Sequence, residues 1–181
     1  MFFYESDFNT FILPYLKLSK LGRKPKIKLH KIFNYILHWL HTGCQWESLK
    51  RVIEKNKDGK PEIHYSNLFR WYQRWCNTGS WQSLFESTVV KLSLANKLDL
   101  SVLHGDGTTT AAKKGGDNLG HSGHKHFKGE KIVAICDRNC NIIAPFVTAP
   151  GNRRFEHISH HYFGIKLLSY SLINLRHFIT E

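Results

Sequence analysis

Leu98-Asp99-Leu100-Ser101-Val102-Leu103-His104-Gly105-Asp106-Gly107-Thr108-Thr109-Thr110 marks the point where the pattern of the chain changes. Before it, apolar residues recur at the three- and four-residue spacing of helices. After it, they come in short runs broken by glycine and by turn-forming residues. Leu98–His104 predicts a short apolar strand ended by Gly105. Lys131–Cys136 and Ile142–Thr148 are two more strand-like runs, separated by Asp137-Arg138-Asn139-Cys140-Asn141, which has turn composition. They predict an antiparallel hairpin and, with the first run, three consecutive strands, the last ended by Pro150-Gly151. Helices first and strands after them make the fold class α+β.

Working upstream, Leu29, Ile32, Phe33, Ile36, Leu37 and Leu40 fall on one helix face within Lys28–Thr42, and Gly43 follows where a helix C-terminus favours a left-handed residue. A shorter helix is expected over Trp46–Glu54, and Lys55–Pro61 reads as a polar loop. Ser66 is a candidate N-cap for a helix through Cys76. Its apolar face is Leu68, Tyr72 and Trp75 or Cys76, and Arg70, Gln73, Arg74 and Asn77 lie opposite. Gly79 closes it, and Trp81, Leu84, Phe85, Thr88, Val89 and Leu92 begin a further amphipathic helix.

Composition narrows the class of protein. The 181 residues carry 26 Lys and Arg against 14 Asp and Glu, a formal net charge of +12, and 41% are hydrophobic, enough to build a core and too many for a disordered chain. The longest uncharged run, Ile32–Trp46, is too short and too polar for a membrane span. No secretory leader is read at the start, and four cysteines do not make a disulfide scaffold. The expectation is a cytoplasmic protein whose natural partner is a polyanion, with no membrane association. Residues 1–98 hold 16 basic and 7 acidic side chains, so a nucleic-acid contact is sought there first.

Several residues are candidates for that contact and for chemistry. Arg70 and Arg74, one helical turn apart with Trp71 between them, can present two guanidinium groups to DNA as a recognition helix does, or simply face solvent. Lys24 and Lys26, with Lys28 and Lys31, can supply phosphate contacts, and so can Lys113 and Lys114 of the Gly-rich basic stretch Lys113–Gly129. Asp106, flanked by two glycines at the end of a strand, can be approached by a metal ion and a phosphate; an aspartate that merely hydrogen-bonds a tight turn reads the same way. His121, His124, His126, Cys136 and Cys140 could be zinc ligands, but no Cys-x2-Cys pair is present, and a basic loop meeting a phosphate backbone is the preferred reading.

Thr42-Gly43-Cys44-Gln45-Trp46, Phe69-Arg70-Trp71-Tyr72-Gln73-Arg74-Trp75 and Gly79-Ser80-Trp81 together resemble the N-terminal helical domain of family-five insertion-sequence transposases. Gly105-Asp106-Gly107-Thr108-Thr109, Lys131-Ile132-Val133-Ala134-Ile135-Cys136-Asp137 and Ala149-Pro150-Gly151-Asn152-Arg153 resemble the start of their catalytic domain. The resemblance covers residues 23–153, leaving 1–22 as an N-terminal segment, and implies a helix-turn-helix-like DNA-binding domain over 23–98 and the first three antiparallel strands of an RNase H-like domain over 99–153. It further implies a DDE site, two Asp and one Glu holding two Mg2+ ions for cleavage and joining of DNA at the element's ends, with Asp106 as the first carboxylate and metal ligand. Family members continue into a helix, two more strands and the remaining acidic motifs. Here residues 154–181 depart from the pattern, and their acids, Glu156 and Glu181, sit in no matching motif. The expectation is a truncated or frameshifted, nucleoid-associated bacterial transposase, inactive alone unless a homo-oligomer or a second polypeptide completes the site. The rival is a non-catalytic DNA-binding regulator or remnant.

Overall fold

A computed structural model of the chain describes residues 2–18, 25–111, 120–122, 127–149 and 159–179. They form two units, Met1–Trp81 and Gln82–Glu181. The architecture is α+β, helices followed by an antiparallel sheet.

The first unit begins with helical turns that the residue pattern did not predict: α1 (Glu5–Asp7), a π turn (Phe8–Ile12) and a 3-10 turn (Leu13–Tyr15). Phe3, Phe8, Ile12 and Leu16 are buried. Phe3 and Phe8 each bring their ring centroid to 5.4 Å from that of Phe33. The Asn34 side chain clamps this segment from both sides, accepting from Phe3 N–H and donating to Phe3 C=O, each at 2.9 Å.

Phe33 and Asn34 belong to α2 (Leu29–Thr42), whose Ile32, Phe33, Ile36 and Leu37 turn inward as their spacing predicts. Gly43 adopts φ +60° and its N–H bonds to Trp39 C=O, the left-handed stop expected there. Trp46–Arg51 is a 3-10 turn and not an α-helix reaching Glu54. The helical ladder ends because the Glu54 amide donates to the Tyr35 hydroxyl at 3.0 Å instead of to a carbonyl one turn back. Residues 54–62 then form a tight hairpin closed by a bridge between Lys55 and Pro61.

α3 (Tyr65–Asn77) buries Leu68, Tyr72 and Trp75. Its N-cap is His64, whose imidazole accepts from Ser66 N–H, so Ser66 lies inside the helix and is not its cap. Gly79, at φ +70°, ends it. Trp75 and Trp81 meet edge to face at 5.4 Å, and Trp39 stacks on Trp46 at 4.1 Å. Truncating a buried aromatic of this kind to alanine costs roughly 3–5 kcal/mol, so these rings carry much of the unit's stability.

The division between units falls just inside α4 (Ser80–Leu94), which buries Leu84, Phe85, Thr88 and Leu92. The sheet is centred on β3 (Phe127–Asp137). Along one edge runs β1 (Leu103–Ala111), in register from Leu103↔Asp137 to Ala111↔Gly129. The other edge carries β4 (Ile142–Ala149) and the short β2 (Gly120–Ser122), all antiparallel. Pro145 has no N–H to give and is tolerated in β4 at the rim.

The first strand is displaced from its predicted place, Leu98–His104. The amide of Asp99 donates to the Asp137 carboxylate, and the Asp99 carboxylate accepts from Ser101 N–H. This local turn holds residues 99–101 out of the sheet, so pairing starts at Leu103, and Gly105-Asp106-Gly107 lies within the strand instead of after it. The hairpin turn at Asp137–Asn141 stands where it was predicted, with Cys140 at φ +59°.

Within residues 154–181, the described part folds into α5 (Ser159–Leu175), which buries Leu167, Leu168, Ser171, Asn174 and Leu175. Asn174 ties it to the sheet. Its carbonyl oxygen accepts from Ile142 N–H, and its amide donates to Ile142 C=O and to Thr88 Oγ1.

Candidate nucleic-acid interface and the Asp106 pocket

Because Leu68, Tyr72 and Trp75 commit one face of α3 to the core, Asn67, Arg70 and Arg74 fall on the opposite face, clear of that core. Trp71 is half-buried beside them, and the Arg74 guanidinium lies over its ring, 4.7 Å from the centroid. This holds one end of the guanidinium's travel and leaves its edge available to an anion. Neither arginine has a carboxylate partner among the described residues.

These side chains line a groove of about 660 Å3 whose other walls are Lys26 and Ile27 on one flank and Pro61–His64 on the other. Four of the predicted DNA-binding residues, Lys26, Arg70, Trp71 and Arg74, thus come together. Lys24, Lys113 and Lys114 lie outside the described residues.

One acid, Glu62, also lines the groove, and its charge is already engaged. Lys31 Nζ reaches it at 2.7 Å and the Tyr35 hydroxyl donates to it at 2.8 Å. Lys31 also binds Glu54 at 2.8 Å, and hydrogen bonds to Glu54 and then Glu62 raise its pKa. Burial, followed by the Glu62 carboxylate, pushes the Tyr35 phenol up to about 12. The groove therefore presents Lys26, Arg70 and Arg74 as its free charges. Asn67 and the Glu62–Lys31–Tyr35 network were missed from sequence. Asn67 had a signal, its place one turn before Arg70; the network joins residues too distant along the chain to show one.

In the second unit Asp106 and His104 share a face of β1, across from Ala134 and Cys136 on β3. With Tyr170 of α5 they line a second cavity of about 650 Å3. Asp106 is exposed, and one of its oxygens accepts from Gly107 N–H at 2.7 Å. A Cβ added at Gly105 would meet nothing within 4 Å, so the flank of the carboxylate is open.

Mg2+ asks for several hard oxygen ligands in near-octahedral array. Asp106 brings one carboxylate, beside an imidazole and a thiol, and no group of three His, Cys, Asp or Glu able to hold a metal ion is present among the described residues. The donor set around Asp106 does not fit a pair of Mg2+ ions. Asp137, the acid at the end of β3, is buried and accepts from Asp99 N–H, Asn141 N–H and the Asn141 side chain, which makes it a structural acid.

The zinc alternative gains no support. Cys136 sits on β3 and Cys140 in the hairpin turn, both as free thiols, while His124 and His126 lie outside the described residues and of His121 the backbone alone is described. Among the described residues no helix is long and apolar enough to cross a membrane. No protein-family model matches the chain, and no curated protein or solved structure matches it either.

Proposed function

We propose that the protein binds double-stranded DNA through the α3 groove, at the ends of an insertion element, as part of an insertion-sequence transposase. The observation that carries this is the convergence of Lys26, Arg70, Trp71 and Arg74 on one groove whose acid is already neutralised. An exposed helix face of this kind fits the major groove, where arginine forks can meet guanine edges or phosphates. In this reading α2 and α3 are the helix-turn-helix-like pair, with residues 43–64 as an extended connection.

The second unit would belong to an RNase H-like domain. Three long antiparallel strands followed by α5 support that reading, since the family resemblance calls for strands and then a helix. Asp106 would be one carboxylate of a site that uses Mg2+ for strand cleavage and joining. The other carboxylates would come from a second copy or another polypeptide, and no catalytic step is derived from this chain's residues. The second reading, DNA binding without catalysis, is favoured by the structural engagement of Asp137.

The test is fluorescence anisotropy of the full chain on a labelled duplex over a range of salt. Binding should weaken steeply as salt rises, because neutralised phosphates release counterions. Replacing Arg70 and Arg74 together with alanine should lower affinity at least about tenfold, since a good arginine contact is worth roughly 1–3 kcal/mol. Failure of the wild-type chain to bind DNA in a salt-dependent way would refute the proposal.

A further inference from the structure

We infer that the hairpin at residues 54–62 is a second DNA-contacting arm, built to hold Lys55, Lys57 and Lys60 against the phosphate backbone beside the α3 groove. This rests on the DNA-binding reading and adds a further binding element to it. A polar loop of ordinary kind would not be expected to hold a single shape, yet this one is closed at several points. The Lys55–Pro61 bridge joins its two sides. The Asn56 amide donates to Lys60 C=O at 2.7 Å, and the Asn56 side chain accepts from both Asp58 N–H and Lys60 N–H at 3.0 Å. Gly59, at φ +72°, takes the left-handed position that the tight turn requires.

The foot of the hairpin is pinned to α2. Glu62 N–H donates to Glu54 C=O, and both carboxylates are bound by Lys31, while Tyr35 fixes the Glu54 amide and the Glu62 side chain. The acids are thereby drawn to the foot, and the exposed tip is left with three lysines against Asp58. None of the three lysines has an ion-pair partner among the described residues. Holding like charges on so short a turn is unfavourable for the free protein, and becomes favourable when they meet a row of phosphates.

Placement gives the arm its role. The chain leaves the hairpin through Pro61–His64, which forms one wall of the groove and then caps α3. The foot of the hairpin thereby borders the groove, so a duplex seated on Arg70 and Arg74 would run past it, and lysine contacts to the DNA backbone there would fix orientation and read no sequence.

The experiment compares the full-length wild-type chain with Lys55→Ala/Lys57→Ala/Lys60→Ala on a short random-sequence duplex, measuring affinity against salt. The slope of log affinity against log salt should fall by roughly two to three units in the triple variant, at about 0.9 for each phosphate that is no longer neutralised. The triple replacement by arginine should restore it. Gly59→Val keeps every lysine but strains the turn, and should weaken binding several-fold while circular dichroism still shows a folded chain. An unchanged slope in the alanine variant, with Arg70→Ala/Arg74→Ala still weakening affinity, overturns the arm and leaves the groove standing. No binding by the wild type overturns both. Wild-type affinity in Gly59→Val overturns the claim that a fixed turn is needed.

Discussion

Asp137 shows how much one buried side chain can organise. Burial alone would push its carboxyl up, but the amides of Asp99, Asn141 and Asn139 and the side chain of Asn141 outweigh that and hold it below its ordinary value of 3.8. Around it, Asn141 also donates to Lys97 C=O and meets His177 Nε2 at 2.9 Å, and Arg176 donates to Asn139 C=O. Asp137→Ala would leave several donors without an acceptor and should cost roughly 2–4 kcal/mol near neutral pH. Because the folded-state value is depressed, the carboxylate's contribution is complete above 3.8 and is lost as pH falls through the lower folded value. Denaturant titrations should show the gap between wild type and variant holding from neutral pH down to that region and closing below it. A gap that persists in strong acid would refute the assignment. The turn composition of residues 137–141 was legible in the sequence; the network was not, because its partners lie at residues 97–99 and 174–177 and no local pattern announces them.

Elements whose own residues satisfy their backbone were the readable ones. α2, α3 and α4 bury residues at regular spacing, and α2 and α3 stop at glycines, so periodicity and capping sufficed for them. The N-terminal turns escaped because they are short and change type from α to π to 3-10, with Phe3 lying before them; Phe8, Ile12 and Leu16 at intervals of four were the available signal. β1 was misplaced because Gly-Asp-Gly reads as a strand terminator, whereas pairing along the apolar β3 carries the strand through it to the β-branched Thr108–Thr110. The groove was half legible, its cationic face on α3 visible in the helical pattern and its opposite wall formed only by folding. α5 was hidden in a segment that matched no pattern, and Asn174 is what docks it. Asn174→Ala removes three hydrogen bonds at a buried position and should destabilise the helix by roughly 2–4 kcal/mol. Hydrogen exchange should then quicken in α5 and at Ile142 while α2 and α3 keep their protection; uniform change across both units would argue against a local anchor.

At the scale of the molecule, charge and candidate chemistry are separated along the chain. Residues 1–98 hold 16 of the 26 cationic side chains, and the groove lies in the first unit, while Asp106 lies in the second. Affinity for DNA should therefore be insensitive to Asp106→Asn, with the dissociation constant within about twofold of wild type, a difference well under about 1.4 kcal/mol. The chain alone should not nick an element-end duplex in Mg2+, since one carboxylate compensates little for dehydrating the ion. Nicking that Asp106→Asn abolishes would show that a full set of ligands does assemble. All five tryptophans, at 39, 46, 71, 75 and 81, fall within the first unit, and the second holds none. The indole emission of this protein thus originates wholly in its first unit. Trp71, half-buried in the groove under Arg74, is the fluorophore whose surroundings a duplex docked as proposed would alter, so that proposal can be tested through its emission without any attached dye.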